Sequence, residues 1–121
     1  MLATQDVRVL IDADLTNAER RERLRRQRHV IDLLELSFSQ EAAAFAATDA
    51  YEEDGFVTPI DWIRFNCHMT SNAAADRVAV GGRIGELGHT VDAVAYGQVG
   101  FAHLTVMART ANAVGAGFSE T

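Results

Sequence analysis

The stretch Asp54–Ile63, DGFVTPIDWI, holds the only proline and the only tryptophan of a 121-residue chain. Its residues spell a corner between helices. Asp54-Gly55 ends one helix, because glycine takes the left-handed conformation that follows a last turn. Thr58 then caps a new helix, and its hydroxyl and Asp61 make a capping box. Pro59 falls at the first helical position, where its missing N–H has no partner to lose. Trp62 follows one turn in, placed to anchor the short helix against the long one before it.

Upstream of that corner, Thr16-x-x-Glu19 is a second capping box, and no glycine or proline interrupts the chain from there to Gly55. Leu24, Ile31, Phe38 and Phe45 recur every seven residues, with Leu34 and Ala42 between them. The pattern predicts one long helix running to the Asp-Gly stop, packed along that seam and bending near Ser37 and Ser39. Downstream, three or four shorter helices are expected. The proline-capped helix runs to about His68. A helix capped by Thr70 or Ser71 follows, with Ala73, Val80, Ile84 and Leu87 inward and a bend at Gly81-Gly82. A short segment at Val91–Tyr96 is capped by Thr90 and closed by Gly97. A last helix over Gly100–Val114 puts Phe101, Leu104, Ala108 and Ala111 on one face. The expected fold is all-α, with residues 1–15 an arm or short helix and residues 16–121 a single helical domain, a piece of a longer protein.

Composition narrows the function classes. Hydrophobic residues make up 48% of the chain, enough for a packed core, and no apolar run is long enough to span a membrane. Residues 1–14 lack the basic start and apolar segment of a signal peptide. Cys67 is the single cysteine, so no intrachain disulfide is expected and a reducing cytoplasm is the natural compartment.

The net charge of −6 conceals an asymmetry. Residues 20–29, RRERLRRQRH, carry six arginines against one glutamate, whereas residues 30–62 carry eight acids and no arginine. All eleven basic residues are arginine, a bias that a GC-rich coding background also produces. At roughly 100° per residue, Arg20, Arg21, Arg23, Arg25, Arg26 and Arg28 surround their helix, so that stretch is not buried. Three readings stay open for it: a solvated helix end with Glu19–Arg23 and Glu22–Arg26 pairs, a phosphate-contacting arm on DNA, or a surface for an acidic partner. The helix pair around Met69-Thr70 also permits a helix-turn-helix, whose second helix would offer Asn72, Arg77 and Arg83 to bases, although Asp76 opposes that use.

No catalytic constellation is visible. His29, His68, His89 and His103 are scattered without metal-ligand spacing. GGRIGELG lacks the Lys-Ser/Thr of a phosphate loop. The acids Asp49, Glu52, Glu53 and Asp54 read as a solvated helix end. Intrinsic enzymatic activity, a metal, a cofactor and a small-molecule substrate are therefore not expected of this chain.

Taken together, DGFVTPIDWI, MTSNAAADRV and YGQVGFAHLTVMART resemble the bacterial 13E12 repeat family, a domain of unknown function. The resemblance covers about residues 31–114. It rests on the order and spacing of Asp54, Gly55, Thr58, Trp62, Met69, Thr70, Ala74, Leu87, Gly97 and His103. Two departures are Gly81-Gly82 and Leu87-Gly88, where the family has Ala-rich sequence and Leu-Pro. The family's helical region commonly precedes an HNH endonuclease domain. The resemblance thus implies a helical accessory domain of a nuclease, associating with DNA, with the nuclease part absent from residues 1–121. The alternative is a helical interaction module that forms a homodimer through the long helix and has no nucleic-acid role.

Overall fold

A computed structural model describes residues 15–115. Six α-helices and one 3-10 turn follow one another, with no strand among the described residues. They are α1 (Asn17–Ala46), α2 (Ala50–Glu53), α3 (Pro59–Asn66), α4 (Ser71–Gly82), the 3-10 turn Ile84–Glu86, α5 (Gly88–Ala95) and α6 (Phe101–Val114). The fold is all-α, as its composition and periodicity predict. The expected arm over residues 1–15 lies outside the described residues except for Leu15, and so do residues 116–121.

Helix α1 starts where its capping box places it. The Thr16 hydroxyl accepts from the Glu19 N–H, and the Glu19 carboxylate accepts from the Thr16 N–H, each at 3.1 Å. It does not run on to Gly55. The Thr48 hydroxyl donates to the Phe45 carbonyl at 2.7 Å and accepts from the Ala50 N–H at 3.2 Å. That side chain offers the backbone an alternative to the helical ladder. The helix closes at Ala46, and the four-residue α2 is a separate element, one more than expected.

The corner after α2 forms as expected except for the capping box, of which only the Thr58 half is present. Gly55 takes φ +87°, and the Thr58 hydroxyl accepts from the Asp61 N–H at 3.1 Å with Pro59 in the first turn of α3. The Trp62 indole N–H donates to Asp54 at 2.8 Å, so it ties the start of the second helix to the end of the first. Its ring packs on Phe45 of α1, with centroids 4.4 Å apart. Proline, tryptophan and the Asp-Gly stop are thus parts of one lock.

Two apolar clusters share α4 between them. Ala42, Ile63 and Ala74 are buried among Phe38, Phe45, Ile60, Trp62, Met69 and Val78. Val80, Leu87, Val94, Phe101, Leu104 and Ala108 form the second cluster, with Leu36 of α1 against it. Phe101, Leu104, Ala108 and Ala111 line one buried face of α6, as their spacing predicts.

The seam of α1 differs from the heptad expectation. Its buried residues are Asp32, Ser39 and Ala42, while Leu24, Ile31 and Leu34 are exposed. The reason lies in α4. A β-carbon on Gly81 would overlap the Ser39 carbonyl oxygen and lie 2.7 Å from the Ala43 β-carbon. Backbone meets backbone there, so the crossing selects small residues over large ones. Gly81 marks that close approach, and the helix expected to bend here and continue to Leu87 ends at Gly82, before the 3-10 turn. Ser39 is fully buried, and its hydroxyl donates to the Glu35 carbonyl at 2.8 Å within α1.

Thr90 is also placed differently. Helix α5 begins at Gly88, two residues before it, and the Leu87 carbonyl accepts from the Val91 N–H at 2.8 Å. Thr90 is therefore a buried residue of the first turn and not the cap. Gly97 closes α5 with φ +76°. None of the described helices is long and apolar enough to cross a membrane.

Candidate nucleic-acid interface

The arginine block occupies the first three turns of α1. Of Arg20, Arg21, Arg23, Arg25, Arg26 and Arg28, only Arg23 is even partly covered. Arg25 and Arg26 both approach Glu22, at 3.5 and 3.4 Å, with side chains 71% and 77% exposed. Ion pairs this exposed contribute at most about 1 kcal/mol and exchange readily for another anion. The expected Glu22–Arg26 pair is present. Glu19 instead turns back to its cap: the Thr16 N–H and then the Thr16 hydroxyl hold its carboxyl below the ordinary value, with a smaller pull from Arg23.

The arc that carries Arg21, Arg25 and Arg28 spans roughly 60°, from the 100° step per residue, and points toward the α5–α6 connection. There Leu24, Arg25, Arg28, His29 and Asp32 face Gly97–Gly100 and Ala102 across an open groove of about 580 Å³. Gly97 brings the connection against His29: a β-carbon at that glycine would sit 3.4 Å from the imidazole Nδ1. Gly100 is the N-cap of α6 and supplies no side-chain cap, and it lines the groove, so the partial positive charge of that helix end lies beside it.

Asp32 forms the floor. Its carboxylate is 6% exposed, and a β-carbon on Gly100 would lie 3.5 Å from its Oδ2. Arg28 Nη2 comes within 3.1 Å of Oδ1 as an ion pair, without the alignment of a hydrogen bond. The acid thus compensates both the α6 N-terminus and one guanidinium, and Arg25 is left as the cation with the freest reach.

The other expected contact residues are not brought to this groove. Arg77 turns inward: its Nε donates to Glu35 of α1 at 2.7 Å, and its guanidinium sits 5.2 Å above the Phe101 ring. Only 20% of that side chain is exposed, so it is a strut between α1 and α4 and not an exposed base reader. Arg83 donates to Asn112 of α6 at 2.6 Å and to Glu86 at 2.7 Å. Asp76 takes the guanidinium of Arg109 in a two-pronged pair, with Nε–Oδ1 at 3.0 Å. Of the three side chains expected to read bases, Asn72 alone stays exposed.

Asp54, Gly55, Thr58, Pro59 and Trp62 form the corner at the far end of α1. Gly97 belongs to the groove as well as to the α5 closure. Spacing in the sequence had singled out neither His29 nor Asp32. The Arg28–Asp32 step of four was legible, but what faces it from 65 or more residues downstream was not. Among the described residues, no group of three or more His, Cys, Asp or Glu side chains could hold a metal ion. No family model, no curated protein and no solved structure matches the chain.

Proposed function

We propose that this chain is a non-catalytic helical accessory domain that associates with DNA through the N-terminal half of α1. The observation that carries it is the convergence of Arg25, Arg28 and His29 in one open groove beside the α6 N-terminus, over a buried Asp32 that offsets part of the charge, on a segment that carries six arginines. Guanidinium groups and helix N-termini are the donors that phosphate oxygens take. Arg20, Arg21, Arg23 and Arg26 extend the positive field around the helix. Arg77 and Arg83 act within the fold, so the reading is one of phosphate contact, without base readout from α4.

The resemblance to the 13E12 repeat family supports attaching this role to an HNH-type endonuclease encoded in the same parent protein. The domain would then supply affinity, and the nuclease part the chemistry.

Binding to labelled duplex and single-stranded DNA across a salt series tests the proposal, with Arg25→Glu/Arg26→Glu as the comparison. Both arginines are exposed and, among the described residues, pair only with Glu22, so their reversal should leave the fold intact. The expected result is an affinity that falls with a log–log salt slope of about −0.9 per neutralised phosphate on duplex DNA and drops at least tenfold in the double variant. No binding at low salt would overturn it.

A further inference from the structure

Opposite the basic groove, α1 leaves a second face uncovered, and it is apolar. Val30, Ile31, Leu34 and Phe38 lie on about one third of the helix circumference, from the 100° step. Leu34 is 63% exposed and Val30 53% exposed, and Phe38 carries the stripe into a shallow hollow shared with Phe45, Trp62 and Cys67. Exposed singly, such residues are ordinary; a contiguous stripe in mid-helix marks a contact surface.

Charges at its two ends identify the occupant. On the same face, Arg23 lies toward the N-terminus and Glu41 toward the C-terminus. Neither enters an ion pair among the described residues. The midpoint of α1 falls between Ile31 and Asp32, and Arg23 and Glu41 each lie nine positions from Asp32. We propose that two copies of the chain pair antiparallel through this stripe, about a two-fold axis on the far side of α1 at the level of Asp32. That axis sets Val30 of one copy against Leu34 of the other, Gln27 against Ser37, and Arg23 against Glu41 at both ends. A parallel pairing would instead stack Arg23 on Arg23 and Glu41 on Glu41, which like charges disfavour.

This pairing rests on a different face from DNA association and draws on the basic block only at Arg23. It buries the face turned away from Arg21, Arg25 and Arg28, and so leaves a basic groove open on each copy. The central contact is apolar, so the dimer responds weakly to salt, whereas phosphate contact responds steeply.

Sedimentation equilibrium over a range of protein concentration, with far-ultraviolet circular dichroism on each sample, tests it. The wild-type chain is expected at twice its 13.2 kDa mass. Leu34→Asp changes an exposed residue, so it should keep full helicity. It should weaken self-association by about 100-fold or more, because the substitution enters the interface twice. Arg23→Glu should weaken it roughly tenfold, and the swap Arg23→Glu/Glu41→Arg should restore it. A wild-type chain that stays monomeric up to about 1 mM, the scale of the weakest specific contacts, overturns the proposal and leaves the stripe to a different partner. A dimer indifferent to Leu34→Asp overturns it too, and a swap no better than the single variant overturns the antiparallel register.

Discussion

The two halves of α1 share one helix and obey opposite rules. From Asn17 to Arg28 the surface is charged and uncovered, and its largest apolar residue, Leu24, is exposed. Farther along, the line of α1 that meets α4 most closely is made of the small residues Ser39, Ala42 and Ala43, with Leu36, Phe38 and Phe45 packed to either side. Yet Ser39 and Ala42 are the most buried of these. Hydropathy alone ranks these halves wrongly, because close backbone approach buries surface through Ser39, Ala42 and Ala43, where bulky residues would hold the helices apart. What the difference teaches is that a helix face is assigned by its partner's shape as much as by its own polarity.

The comparison breaks most severely at Gly81. Replacing it with alanine drives a methyl group into the Ser39 backbone, where neither helix can yield by rotating a side chain. A loss of about 3 kcal/mol is expected in urea denaturation, at the upper end for overpacking. The same Gly→Ala change at Gly82, with open space around its β-position, should be neutral or stabilising. Equal effects at the two glycines would refute the close-crossing account.

Next in size is the corner. Trp62→Ala removes the ring contact with Phe45 and the bond to Asp54, and about 2 kcal/mol should be lost, since the ring is only half buried. Asp54→Ala alone removes the bond and should lose about 1 kcal/mol or less.

The smallest effect is electrostatic and sits at the other end. The Glu19 carboxyl is held below its ordinary value by the Thr16 bonds, so its contribution is present above the unfolded glutamate range and fades as pH falls through the lower folded value. Thermal melts between neutral pH and pH 3 should show a slightly larger acid loss for wild type than for Glu19→Gln. The stability difference between the two chains should be present at neutral pH and shrink as pH falls through that window. A difference of the same size at pH 3 as at neutral pH would contradict the assignment.

Signals that act within one turn were readable without coordinates. Thr16-x-x-Glu19, Asp54-Gly55 and Thr58-Pro59 mark helix ends through bonds between residues a few positions apart. The face of α6 was readable for a related reason: Phe101, Leu104, Ala108 and Ala111 are apolar at helical spacing and have only one way to turn. Less of the candidate interface was legible. The arginines stood out by count, but their division between a groove and an open face did not. The inward turn of Arg77 depends on Glu35, 42 residues away, and on the Phe101 ring.

Sequence alone, then, determined that the chain is helical, where most of its helices start, and that its charge is split along α1. Tertiary structure decided where α1 stops being covered, which arginines are struts, and which apolar residues are left outside. The physical reason is range. Capping, turn chemistry and charge density act over a few residues and are written locally. The choice between Ser39 and Leu34 as the buried face is made by a glycine some forty residues downstream, whose missing side chain has no hydropathy to read.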